Sequence, residues 1–117
     1  MENYVFVYGT LMNGKRNHYI LEDSKFIGNG FISDYFMFNI VTYPGIQKSK
    51  YKSKVYGEVY QVSEETLKQL DILEEVGTLY NKEIVRVYLN DFTIDAIVYV
   101  YILKEYIEEN ENEYYYY

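Results

Sequence analysis

Short runs of β-branched and aromatic residues recur along this chain at strand length, while only one stretch carries a clear helical period. That contrast restricts the folds open to it. The first run, Tyr4-Val5-Phe6-Val7-Tyr8, reads as a buried strand that stops at Gly9 and enters the loop Gly9-Thr10-Leu11-Met12-Asn13-Gly14. A brief helix is predicted from Arg16 to Leu21 and a second strand from Phe31 to Ile40, with Tyr43-Pro44-Gly45 as a turn. Val55 to Val62 is another strand. Its Gly57 marks a bulge or a close backbone approach, because glycine inside a strand otherwise forfeits packing. Glu83 to Leu89 and Phe92 to Ile102 read as two strands joined across Asn90-Asp91, a dipeptide that tolerates the left-handed geometry of a tight hairpin.

The helical stretch runs from Glu64 to about Val76. Ser63 serves as N-cap, Glu64 and Glu65 occupy the positively polarised first turn, and Val62 and Leu67 have the spacing of a hydrophobic staple. Gly77 is the expected C-terminal stop. About five strands and one helix in 117 residues make a single core, since a second would have too little chain. Residues 1–104 form the expected single domain. Residues 105–117, rich in Glu and Asn and ending in four tyrosines, read as a loosely held tail with a short helix allowed at its start.

Composition excludes several kinds of chemistry. With no cysteine there is no disulfide, no thiolate metal site and no cysteine nucleophile, and a single histidine forbids a histidine cluster. Neither an apolar run of about 18 residues nor a secretory signal is legible, which gives a cytoplasmic expectation and no membrane partner. The formal charge of −7 opposes nucleic acid, whose phosphates reward lysine and arginine. Lys48, Lys50, Lys52 and Lys54 alternate along an extended stretch that reads as a solvated edge or loop. Most of the 17 tyrosines fall at alternating strand positions and read as core and wall rather than base-stacking platforms.

Two features point to chemistry. At about 100° per residue, Leu67, Leu70 and Leu73 define an apolar stripe, with Glu74 about 40° from its centre and Glu75 about 140° away. Glu74 therefore turns inward, where burial raises a carboxylate toward the range useful for proton transfer; the alternative is a rim glutamate paired with lysine or tyrosine. The junction Tyr8-Gly9-Thr10-Leu11 is the second. Glycine directly after a buried strand lets backbone N–H groups face a carboxylate or an oxyanion, although a glycine in that place most often serves a simple turn.

Val5-Phe6-Val7-Tyr8-Gly9-Thr10-Leu11, with Gly14, Asn17 and His18, resembles the opening of the γ-glutamylamine cyclotransferases, within the wider γ-glutamyl cyclotransferase-like (AIG2-like) family. The resemblance continues in order through Tyr43-Pro44-Gly45, Gly57-Glu58-Val59-Tyr60-Gln61-Val62, Leu70-Asp71-Ile72-Leu73-Glu74 with Tyr80, and Ala96 to Tyr101, covering roughly residues 4–103. It implies an α+β fold, a small mixed β-barrel of about five to six strands flanked by one main helix and short helices. It also implies release of an amine from a γ-glutamyl amide such as γ-glutamyl-lysine, with formation of 5-oxoproline and without metal or cofactor. By the same resemblance Glu74 is the catalytic glutamate, and Tyr8, Gly9, Thr10 and Leu11 build the substrate pocket. Tyr80 is a candidate for the pocket wall, with core packing as the alternative, and His18 is read as capping or packing. Met12-Asn13 stand where the family often has a basic pair, and the lysine stretch and the tail match nothing in it. The leaving amine and the oligomeric state are thus left open. The same residues would also suit a non-catalytic pocket for a small ligand or partner, or a γ-glutamyl acyl cyclotransferase in a biosynthetic pathway. A purely structural protein is disfavoured, because a barrel needs no inward carboxylate.

Overall fold

A computed structural model describes residues 3–40, 43–102, 114, 115 and 117. Along the chain follow β1 (Asn3–Val7), a 3-10 turn (His18–Leu21), β2 (Lys25–Ser33), β3 (Tyr35–Ile40), β4 (Tyr43–Lys48), β5 (Lys54–Val62), α1 (Glu64–Leu73), β6 (Tyr80–Tyr88), β7 (Thr93–Tyr101) and β8 (Tyr114–Tyr115). Strand β1 lies parallel to β7 and antiparallel to β5, while β7–β6, β6–β2 and β2–β5 are antiparallel. Five strands thereby close into a mixed barrel in the order β1-β7-β6-β2-β5. Outside this ring, β3 and β4 form a two-stranded hairpin, and β8 runs parallel to β5 at Lys54 and Val55. None of the helices among the described residues is long and apolar enough to cross a membrane.

Strand alternation sorts side chains into two cores. From β1, Phe6 points to the barrel interior with Ile32, Val59, Val87 and Val98, whereas Val5 and Val7 face the outer layer with Leu21, Leu67 and Leu70. Phe6, Val59, Val98 and Leu70 are wholly buried. Gly57 is where barrel walls meet most closely, since a Cβ there would lie 2.2 Å from the Val7 carbonyl oxygen. Of the two readings of this glycine, close backbone approach is the one observed; the register irregularity lies at β2, between Phe26 and Gly28.

The helix opens as the sequence indicates. Ser63 Oγ accepts the Thr66 N–H at 3.1 Å, and Val62 and Leu67 share the outer core. Its end differs from the expected Val76. The helix stops at Leu73, and Glu75 takes the left-handed conformation with φ of 48°. Glu75 N–H donates to Ile72 O and Val76 N–H to Asp71 O, both at 3.1 Å, which is the paired bonding of a Schellman ending with Glu75 in the usual glycine place. Gly77 also has a positive φ, of 94°, but serves the later turn into β6, where its N–H meets Tyr80 O at 2.8 Å.

Elsewhere long-range pairing overrides local reading. The strand expected from Phe31 to Ile40 is two strands broken at Asp34, whose φ is 70° and whose N–H and C=O are tied to Ser53 and Ser49 at 2.9 and 2.8 Å. Strand β2 begins as early as Lys25, although Gly28 and Gly30 weaken its strand signal; a Cβ at Gly30 would fall 2.6 Å from the Tyr88 carbonyl oxygen. Tyr43-Pro44-Gly45 is not a turn but the start of β4, paired with Phe38 to Ile40, and proline is tolerated because this two-stranded hairpin is all edge. The brief helix from Arg16 shortens to the 3-10 turn. Neither Asn90 nor Asp91 has a positive φ; their hairpin closes through Leu89 N–H to Phe92 O at 3.0 Å. Lys48 ends β4 and Lys54 opens β5, so the lysine stretch spans the connection between them. The short helix allowed at the start of the tail lies outside the described residues.

Candidate active site

Strand β1 delivers Tyr8 and the following loop to one end of the barrel. Tyr8 is buried, and its hydroxyl donates to the Tyr99 carbonyl at 2.6 Å, which fixes the point where the chain leaves the sheet. Gly9 lies flat against Pro44, with a Cβ there falling 2.5 Å from the proline Cγ. The next three carbonyl groups are all engaged within the protein. Gly9 O accepts from Met12 N–H at 3.0 Å, Thr10 O from Asn17 N–H at 2.9 Å, and Leu11 O pairs with His18 Nδ1 at 2.9 Å. No turn or loop hydrogen bond among the described residues uses the N–H of Gly9, Thr10 or Leu11. Within the described residues the loop's acceptors are thus satisfied, while no turn or loop partner is found for these three N–H groups.

Asn17 Nδ2 also holds Thr10 Oγ1 at 2.9 Å, and Asn13 N–H meets Glu58 Oε1 at 2.9 Å, so the loop is braced on both sides. His18 is part of that bracing: its ring packs on Tyr60 at 5.7 Å between centroids and does not line the cavity described next.

A cavity of about 220 Å³ opens between this loop and the end of α1. Tyr8, Gly9, Thr10, Leu11 and Glu74 all line it, as do Tyr80 and Tyr99. The helix end and the loop are more than sixty residues apart in sequence, and the pairing of β1 with β5 and β7 brings them together. Glu74 is half-buried, and loss of water around its carboxyl pushes its pKa up from 4.5 to about 7. No hydrogen bond to that carboxyl is found among the described residues, so nothing counteracts the desolvation.

Three tyrosine hydroxyls surround it with their directions already set. Tyr80 donates to Pro44 O at 2.8 Å and Tyr99 to Asp71 Oδ1 at 2.8 Å, while Tyr8 donates to Tyr99 O. Burial is the main cause holding all three phenols well above their ordinary pKa, and the Glu74 charge pushes the same way. They are neutral donors locked onto fixed acceptors. Among these four groups, Glu74 is the one whose pKa burial brings near neutrality.

Sequence reasoning missed Arg16, Tyr43, Pro44 and Leu79 as parts of the cavity wall. Tyr43 and Pro44 arrive from the hairpin that reads locally as a turn. For Arg16 and Leu79 no local signal exists, since both lie in connections whose course is set by packing. Among the described residues Glu75 lines the cavity too, although helical geometry assigns it to the outside; the left-handed turn at Glu75 redirects it.

A family model described as gamma-glutamyl cyclotransferase, AIG2-like, matches residues 5–116. Relatives from Vibrio cholerae and Methanocaldococcus jannaschii carry the name gamma-glutamylcyclotransferase provisionally. The first is 37% identical over 106 residues, covering 90% of this chain and 85% of its own length. The second is 38% identical over 100 residues, covering 84% and 83%. Among solved structures, an AIG2-like protein from Mus musculus superposes with a TM-score of 0.76 at 26% identity, over 85% of this chain and 76% of its own. A Pyrococcus horikoshii protein superposes with a TM-score of 0.68 at 31% identity, over 85% and 77%.

Proposed function

The chain belongs to the gamma-glutamyl cyclotransferase, AIG2-like family, and from that premise we propose that it is a γ-glutamylamine cyclotransferase. It converts a γ-glutamyl amide such as γ-glutamyl-lysine to 5-oxoproline and the free amine. The observation that carries this reading is a carboxyl with a pKa of about 7, in one cavity with a loop for whose amide donors no turn or loop acceptor is found among the described residues.

The substrate supplies its own nucleophile. Its α-amino nitrogen reaches its own γ-carbonyl carbon to form a five-membered ring, so the protein has to fold the chain and move protons. The α-ammonium must first lose a proton, and Glu74 as carboxylate takes it. The nitrogen lone pair then attacks the γ-carbonyl carbon, and the carbonyl oxygen becomes an oxyanion. The N–H groups of the Gly9–Leu11 loop bind that oxygen, a contribution of about 3 kcal/mol per well-placed donor. When the oxyanion collapses, the bond to the departing nitrogen breaks as Glu74 gives it the proton taken from the α-ammonium. The second proton, left on the ring nitrogen by the attack, passes through the freed Glu74 carboxylate to the released amine, which leaves as its ammonium. A carboxyl titrating near neutrality suits both steps, since neither its acid nor its base form is scarce.

The test is release of 5-oxoproline from a panel of γ-glutamyl-lysine, γ-glutamyl-alanine and glutathione. Wild-type protein is expected to act on γ-glutamyl-lysine, and Glu74→Gln to lose about 10²-fold or more in kcat. An unchanged rate in the variant removes Glu74 from the mechanism. No product from any member of the panel overturns the γ-glutamylamine reading and leaves a binding domain or a cyclotransferase acting on a carried γ-glutamyl group.

A further inference from the structure

We propose that Glu75 is a specificity-determining residue for the leaving amine: from the cavity rim its carboxylate favours γ-glutamyl amides whose amine half carries a further ammonium group. The inference rests on the cyclotransferase reading above.

The backbone of Glu75 is fully explained by the turn it makes. Its N–H donates to Ile72 O, and its carbonyl accepts from Thr78 N–H at 3.0 Å and Leu79 N–H at 2.9 Å. Glycine would supply those same bonds, and supply them better, because a Cβ crowds the backbone at a φ of 48°. The side chain is therefore carried against the local preference. The turn two residues later has glycine at its own left-handed position, Gly77.

Within the described residues the Glu75 carboxylate makes no hydrogen bond or ion pair that would repay the strained backbone. The two ion pairs found there join Lys82 to Asp71 and Arg86 to Asp95. Glu75 is exposed yet lines the cavity, which puts it at the mouth rather than the floor. Glu74, which returns a proton to the departing nitrogen, is its neighbour in the chain. The amine half, extending outward from that nitrogen, passes the rim where Glu75 stands. Arg16, also exposed and lining the cavity, borders the loop side, and among the described residues the acidic side chains that line the cavity are the two at the helix end, Glu74 and Glu75. A positively charged amine gains there, and an uncharged one of equal length gains nothing.

The discriminating pair is the γ-glutamyl monoamide of 1,5-diaminopentane, which ends in an ammonium, against that of pentylamine, which does not. Wild-type protein is expected to give a higher kcat/KM for the charged amide. In E75Q the ratio of the two values falls about fivefold, as expected for one solvent-exposed charge pair, and in wild-type protein the ratio falls in 1 M salt. E75G loses the same preference while melting at a higher temperature, a combination that a merely structural glutamate would not produce. Active protein with no preference, or a ratio that E75Q leaves unchanged, overturns the assignment of Glu75 and leaves the cyclotransferase reading standing. Wild-type protein that turns over neither amide nor γ-glutamyl-lysine removes both.

Discussion

Glu74 ends α1 as its C-cap residue, and its raised pKa links activity and stability to pH in opposite directions. If it acts as the base, kcat/KM should rise with pH through a midpoint near 7. Stability runs the other way. The folded protein holds the Glu74 proton up to about pH 7, while the unfolded chain releases it near 4.5, so the folded state binds more protons between those values. Stability from this group is complete below pH 4.5 and is lost as pH rises through about 7. Glu74→Gln should therefore be more stable than wild type by about 1–3 kcal/mol at pH 8 and nearly equal to it at pH 4.5, measured by urea unfolding at both. The inward setting of Glu74 was legible from helical spacing alone. The place of Glu75 at the cavity rim was not, because Glu75 is itself the left-handed residue at which the helix ends and no helical projection applies from there.

Among the secondary-structure elements, α1 is tied to the barrel near its C-terminal end by a polar chain through Asp71. Tyr99 in β7 donates to Asp71 Oδ1, and Lys82 in β6 pairs with Asp71 Oδ2 at 2.9 Å. Asp71 lies one helical turn before Glu74, so the chain positions the helix end from which Glu74 enters the cavity. Asp71→Asn is expected to lower kcat on the order of tenfold with a smaller change in KM, because misplacing a proton-transfer group weakens the reaction more than binding. Steady-state kinetics on γ-glutamyl-lysine checks the split. Gly57 sets a different limit: Gly57→Ala drives a methyl into the Val7 carbonyl, and denaturant unfolding should show a loss of about 2 kcal/mol or more. The strand sequence announced a special glycine at this position, whereas the facing atom belongs to a strand fifty residues away.

At the scale of the whole molecule, β5 is the hub. It pairs with β2 along its length, with β1 from Glu58 to Val62, and with β8 at Lys54 and Val55, where β1 has already turned away toward Gly9. Tyr117 then packs against the barrel core, and Lys15 Nζ stands 5.5 Å over its ring. Ending the chain at residue 113 would uncover that edge of β5. Calorimetry is expected to show a lower Tm for the shortened chain, with a loss of about 1–2 kcal/mol.

Local pattern alone was enough to find strands at β1, β5, β6 and β7, although β6 begins at Tyr80 rather than the expected Glu83, and for the capped start of α1 and the glycine that follows the first strand. Each depends on residues within a few positions of one another, and side-chain periodicity is a property of the local backbone. Three-dimensional pairing decided the rest. It made Tyr43-Pro44-Gly45 an edge strand, broke a long run at Asp34, seated Pro44 against Gly9 and returned Tyr114 and Tyr115 to β5. The physical reason is that a strand's hydrogen bonds belong to its neighbour, so where a strand begins, breaks or closes a barrel depends on atoms far away in the chain.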